Sequence, residues 1–282
     1  MVGATFALTL AADSPAPDNA DRGGSSTAAP EPSAQPASAK VPSPASPGPA
    51  APGANASTQL AVRARDGFAF SADEYLPAGS APRADVVLVP NLGQPRTTLA
   101  QLALAIRDRG FRVIAMDNVG QRRNLKPGSR GLPTFTPIDT SLLQTLVLDL
   151  TATAEKARPT PTERPLYVVG YGIGGNVALI YAGSAPDARA VALVLPGHDC
   201  EGFDPYDALA LVSRRPALLV ESEKRKSTDI GRVFLQIIES GHDPYKKRVV
   251  LPKEPPTSPS DPTYGQDVLL EWIDALPAAP RS

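Results

Sequence analysis

Residues 167–183 read YVVGYGIGGNVALIYAG. An apolar, β-branched run stops at a glycine, a tight glycine-rich turn follows, and small residues open a helix at once. That pattern is a strand delivered straight into a helix. Working outward, comparable apolar runs recur at 85–90 (DVVLVP), 112–117 (RVIAMD), 190–196 (AVALVLP), 217–221 (ALLVE) and 248–251 (RVVL), with 166–170 (LYVVG) opening the quoted stretch. They are nearly continuous in Val, Leu and Ile, as strands covered on both faces must be. Helical patterns separate most of them, at 97–109, 139–158, 174–183, 205–213, 227–240 and 264–276. The second carries Leu142, Leu143, Leu146 and Leu150 at helical spacing, and the last carries Leu269, Leu270, Trp272, Ile273 and Leu276 as a packing face. Two weaker strands, near 61–64 and 69–75, precede the series and predict an antiparallel start. The expectation is an α/β fold of three layers around a mostly parallel eight-stranded sheet.

In such sheets the chemistry gathers at the carboxyl ends of the strands. The turn reads Gly170-Tyr171-Gly172-Ile173-Gly174, the frame of a G-x-S-x-G nucleophile elbow with glycine at its centre. After the fourth strand, Asp117-Asn118-Val119-Gly120-Gln121-Arg122 is similar to a D-x-x-G-x-G turn, with Arg122 at the last glycine. With this strand order and spacing, the stretch from about Gln59 to Leu276 resembles the α/β-hydrolase superfamily, especially its small, nearly lidless esterase and dienelactone-hydrolase-like members. Only 20 residues lie between Pro196 and Ala217, so no sizeable cap domain fits there.

The resemblance implies a nucleophile, an acid after a late strand and a histidine after the last strand. The nucleophile position is Gly172, which has no side chain to attack with. The acid position reads Ser222-Glu223-Lys224-Arg225, where Glu223 is the carboxylate available. The histidine position, 252–257 (PKEPPT), holds none, and no histidine occurs anywhere after His242. Where relatives often carry His-Gly after the third strand, this chain has Asn91-Leu92-Gly93. Covalent acyl transfer by the family route is therefore not expected. The Ile173 N–H remains as an oxyanion-type donor that would bind a carbonyl or carboxylate without reacting with it.

Other chemistry is sparse. His198, Asp199 and Cys200 follow the sixth strand, near the same edge, and are read as loop or site-lining residues before a catalytic group. His242 precedes the last strand and is read as a surface residue. The basic runs 224–226 and 246–248 are read as solvated. One cysteine excludes an internal disulfide framework, and no metal site or cofactor is expected. A formal charge of −1 gives no reason to expect a nucleic-acid partner.

The 32 prolines are about twice the share usual for globular chains, roughly 5%. They concentrate in 13–58, where 34 of 46 residues are Pro, Ala, Ser or Gly, a composition expected of a disordered tether. Residues 1–12 (MVGATFALTLAA) are an uncharged apolar run of signal-peptide length, too short for the ~20 residues that span a bilayer. The basic segment that usually precedes such a run is missing, which leaves a start further upstream or an unrelated role. The arrangement is familiar among exported bacterial proteins, so a periplasmic or extracellular location is expected, with a cytoplasmic one as the alternative. Residues 59–282 form the expected hydrolase-like domain. Its leading function is non-catalytic binding, in Asn91, Leu92, Tyr171, Gly172, Ile173, His198 and Asp199, of a small acyl or carboxylate ligand, or contact with a protein partner. The alternative is a weak or altered ester hydrolase using Glu223 or the 198–200 loop.

Overall fold

The computed structural model describes residues 57–79, 81–117, 138–159, 164–197, 200–201, 204–224, 229–240, 243–252, 261 and 263–277. The apolar run, the tether as far as residue 56, Arg122, His198, Asp199 and His242 lie outside these residues.

Eight strands make one sheet: β1 (Thr58–Arg63), β2 (Ala69–Tyr75), β3 (Asp85–Val89), β4 (Arg112–Met116), β5 (Leu166–Tyr171), β6 (Ala188–Val194), β7 (Ala217–Ser222) and β8 (Lys246–Leu251). Their order across the sheet is β1-β2-β4-β3-β5-β6-β7-β8. The contacts of β2 with β1 and with β4 are antiparallel, and all pairs from β4–β3 to β7–β8 are parallel. The helices are α1 (Ala100–Arg107), α2 (Thr140–Ala157), α3 (Ile173–Ser184), α4 (Pro205–Leu211), α5 (Asp229–Ser240) and α6 (Gln266–Ala275). Of the segment joining β6 to β7, the helix α4 spans seven residues, so the short connection carries no large cap.

The pleat explains the continuous apolar runs. Val87 and Val89 of β3 pack into the layer formed with α2, α3 and α5, whereas Val86 and Leu88 pack into the layer formed with α1 and α6. Each apolar residue of β3 therefore meets a helix layer on one face or the other, and neither face tolerates a polar alternation. Helix α3 lies against β5 and is buried almost all round, which matches its lack of any charged residue. At the amino end of β3, Asp85 is fully buried 3.2 Å from Arg164 and 3.4 Å from Arg158.

Two of the seven tyrosines, Tyr171 and Tyr181, sit in these layers with their phenols pushed well up, first by burial and then by nearby carboxylates. A raised folded value means that the unfolded chain loses these protons first as pH climbs past the ordinary phenol value of about 10. Their contribution to stability is thus complete below pH ~10 and is lost above it. Alkaline absorbance titration is expected to leave both phenols un-ionised until circular dichroism reports unfolding. Normal titration of all seven in a folded chain would contradict this packing.

The basic run at 246–248 is not the solvated face that its composition suggests. The Lys246 side chain is 4% exposed and pairs with Asp243 at 3.0 Å, and Arg248 pairs with buried Glu221 of β7 at 2.6 Å. The strand period sends these two residues to one face, while Lys247 between them is exposed.

Candidate binding site at the elbow

Strand β5 ends at Tyr171 and helix α3 begins at Ile173, so Gly172 alone makes the turn. Its φ of 55° and ψ of −128° lie where a side chain is strained and glycine is not. Backbone bonds lock it there. The Gly172 N–H donates to the Val194 carbonyl at 3.0 Å, and the Gly172 carbonyl accepts from the N–H groups of Gly175 (2.9 Å) and Gly197 (3.2 Å). The chain entering the 198–200 loop is thereby tied to the elbow. Beyond that loop, Cys200–Glu201 pairs in parallel with Ile138–Asp139 just before α2. Leu195, at the end of β6, is buried with a φ of 48°, a second strained residue at the same edge.

The turn aims two backbone donors at one point. The Ile173 N–H, first in α3, donates to Asn91 Oδ1 at 2.9 Å. The Leu92 N–H, from the loop after β3, donates to the same oxygen at 2.9 Å. Both partners are donors, so the atom facing them must be the carboxamide oxygen and not its nitrogen. One N–H after the elbow centre and one from the loop after the third strand is the construction of an oxyanion hole. The amino end of α3 adds its partial positive charge there. Asn91 also fills the space above the glycine: a Cβ on Gly172 would collide with Asn91 Oδ1 and stand 2.5 Å from its Cγ.

A half-buried clamp holds the loop that carries Asn91. The Gln94 N–H closes a turn on the Asn91 carbonyl at 3.0 Å. Arg96 then ion-pairs with Asp73 of β2 at 2.8 Å and with Asp117 after β4 at 2.9 Å, and its own N–H donates to Asp117 Oδ1 at 2.8 Å. Burial disfavours the guanidinium charge, but contact with Asp73 and the Asp117 carboxylate outweighs burial and raises its proton affinity above the ordinary value. Arg96→Ala is expected to lower stability by about 2 kcal/mol, since it leaves two facing carboxylates without their shared cation. It is also expected to speed hydrogen exchange at the Leu92 amide. Unchanged stability and exchange would remove the clamp.

Of the residues singled out in the sequence, Asn91, Leu92, Gly172 and Ile173 converge. Tyr171 is fully buried in the layer shared with α1 and α6. Glu223 is exposed just after β7, its N–H donating to the Leu251 carbonyl at 3.0 Å. What the sequence did not reveal is that Asn91 itself occupies the hole, nor the link from Asp73 through Arg96 to Asp117. Among the described residues no three His, Cys, Asp or Glu side chains gather as metal ligands, and no helix is long and apolar enough to cross a membrane.

The family model for serine aminopeptidase, S33 (Hydrolase_4) matches residues 80–228. Among solved structures, a dienelactone hydrolase from Anabaena variabilis superposes with a TM-score of 0.56 at 16% identity, covering 77% of this chain and 96% of that one. An α/β serine hydrolase without a lid from Xanthomonas campestris gives 0.52 at 16% identity, over 79% and 97%. The esterase domain of a Rhodothermus marinus protein gives 0.53 at 17% identity, over 78% and 98%. These likenesses establish the α/β-hydrolase fold. No curated protein sequence matches the chain. The strand order, the elbow and a family match over more than half of the residues agree, and the chain belongs to the serine aminopeptidase, S33 (Hydrolase_4) family.

Proposed function

We propose that this domain is a non-catalytic member of its family that binds a small acyl or carboxylate-bearing ligand at the elbow, within an exported protein tethered by residues 13–58. The observation that carries the reading is the pair of N–H donors assembled over a residue with no nucleophile. An oxyanion hole stabilises charge on a carbonyl oxygen whether or not a bond is being made to its carbon. Gly172 offers no proton for a base to take, and the sequence supplies no histidine after β8 to take one. Fold alone would suggest hydrolysis, but function follows the groups at the site. A protein segment ending in a carboxylate or presenting a backbone carbonyl would satisfy the same donors, so a protein partner belongs to the same reading. Export rests on the composition of residues 1–58, and fractionation that finds the protein only in the cytoplasm would remove that clause.

The test is hydrolysis of short p-nitrophenyl esters by the purified full-length chain, with His198→Ala in parallel. Turnover at the buffer rate is expected for both. Turnover that disappears in His198→Ala would replace this reading with a hydrolase working from the loop after β6. Turnover that survives in His198→Ala would turn attention to Glu223.

A further inference from the structure

The donors of the hole are already engaged. Leu92 lies in the loop after β3 and Ile173 opens α3, 81 residues apart, yet both N–H groups end on the same carboxamide oxygen at 2.9 Å. A carboxamide is an acyl group, so Asn91 presents to the hole the same C=O that an outside ligand would present. The side chain also stands in the volume that a residue-172 side chain would occupy, with its Cγ 2.5 Å and its Cβ 3.1 Å from where a Cβ would be. An Oδ1 in that position covers both the hole and the approach to it.

We propose that Asn91 is a built-in occupant of the oxyanion hole, an internal acyl mimic that an incoming carbonyl or carboxylate must displace before it can bind. The inference rests on the reading of the elbow as a binding site. Its backbone anchor is fixed by the turn to Gln94 and the clamp at Arg96, so displacement is a rotation of the Asn91 side chain with the loop left in place. Asn91 then sets the affinity of the site. The intramolecular oxygen competes at high effective concentration, so only a ligand with further contacts of its own or a stronger acceptor opens the hole. A carboxylate is the stronger acceptor, because hydrogen bonds to an ionised group exceed those to a neutral amide. The class of ligand favoured is therefore a carboxylate over a neutral ester.

The experiment is an NMR titration of the full-length chain with sodium butyrate against a sodium chloride control, following the Leu92 and Ile173 amides. In Asn91→Ala both amides are expected to shift saturably, with an apparent Kd at least about tenfold lower than in the wild type, the gain from removing two competing hydrogen bonds. Asn91→Asp keeps an oxygen on the donors and is expected to bind butyrate no better than the wild type. Equal Kd values in wild type and Asn91→Ala overturn the proposal, as does an Asn91→Ala chain whose two amides ignore butyrate. A second measurement needs no variant: hydrogen exchange in the wild type is expected to protect both amides, and an unprotected Leu92 amide overturns the proposal directly. The outcomes separate from those of the ester assay. Ester turnover would end the non-catalytic reading while leaving the titration to judge Asn91, and a failed titration would leave the absence of turnover untouched.

Discussion

Gly170→Ala is expected to cost at least about 3 kcal/mol, or to leave the chain insoluble, although it adds one methyl group to a residue at the end of a strand. The cost comes from what that methyl would meet. A Cβ on Gly170 would run into the backbone carbonyl of Gly174 and stand 2.6 Å from the Cα of Gly175. These are main-chain atoms in the first turn of α3, so no rotamer change makes room, and helix and strand must separate. Overpacking of a core costs about 1–3 kcal/mol when side chains can adjust, and more when they cannot. Against a typical total of 5–15 kcal/mol, that loss threatens the fold itself. The control lies five residues along. Gly175→Ala would place its Cβ 3.3 Å from the Gly170 carbonyl oxygen and from Pro196 Cβ, a tight but adjustable contact. It also gains about 1 kcal/mol of helix propensity, so its net effect is expected to stay within about 1 kcal/mol of zero. Urea unfolding of the two variants checks both values. Similar losses would mean that the close approach of α3 to β5 is not what these glycines provide.

The same contact explains why the fold was legible from so short a stretch. A glycine that ends an apolar strand and recurs at 172, 174 and 175 signals a helix pressed against the strand that feeds it. The flanking strands were legible because burial on both faces removes polar residues from them. The site was legible only in part. Strand order placed Asn91, Gly172 and Ile173 at one edge, but nothing in a linear pattern says that a side chain at 91 turns onto an amide 82 positions later. Lys246 and Arg248 misled for a related reason. A run of three charges looks solvated, whereas the pleat sends alternate members inward to Asp243 and Glu221, the first supplied by the turn that opens β8 and the second by the register of β8 on β7. Arg96 carries no mark of its role either, since its two carboxylates arrive from strands on either side of it in sequence.

Placing a serine at the elbow is expected to fail twice over. Gly172→Ser would put a side chain on a residue with φ 55° and ψ −128°, a conformation that costs an L-residue about 1–3 kcal/mol. Its Cβ would also displace the Asn91 carboxamide, breaking the bonds to Leu92 and Ile173, each worth about 1 kcal/mol net. The expected loss is about 3 kcal/mol by urea unfolding. The two contributions separate in a double-mutant cycle, because strain belongs to residue 172 alone and the collision belongs to the pair. In an Asn91→Ala background Gly172→Ser is expected to cost about 1–2 kcal/mol less than in the wild type, the size of coupling seen between residues in contact. Additive losses would mean that Asn91 does not stand where the serine must go. Activity is expected to stay at the buffer rate in both serine variants, since a hydroxyl near neutral pH needs an adjacent base and no histidine follows β8. Turnover by the double variant would reveal a base within reach of position 172, and His198 would be the first residue to replace. Without such a base, glycine at 172 and asparagine at 91 are complementary: the first leaves the space and the second fills it.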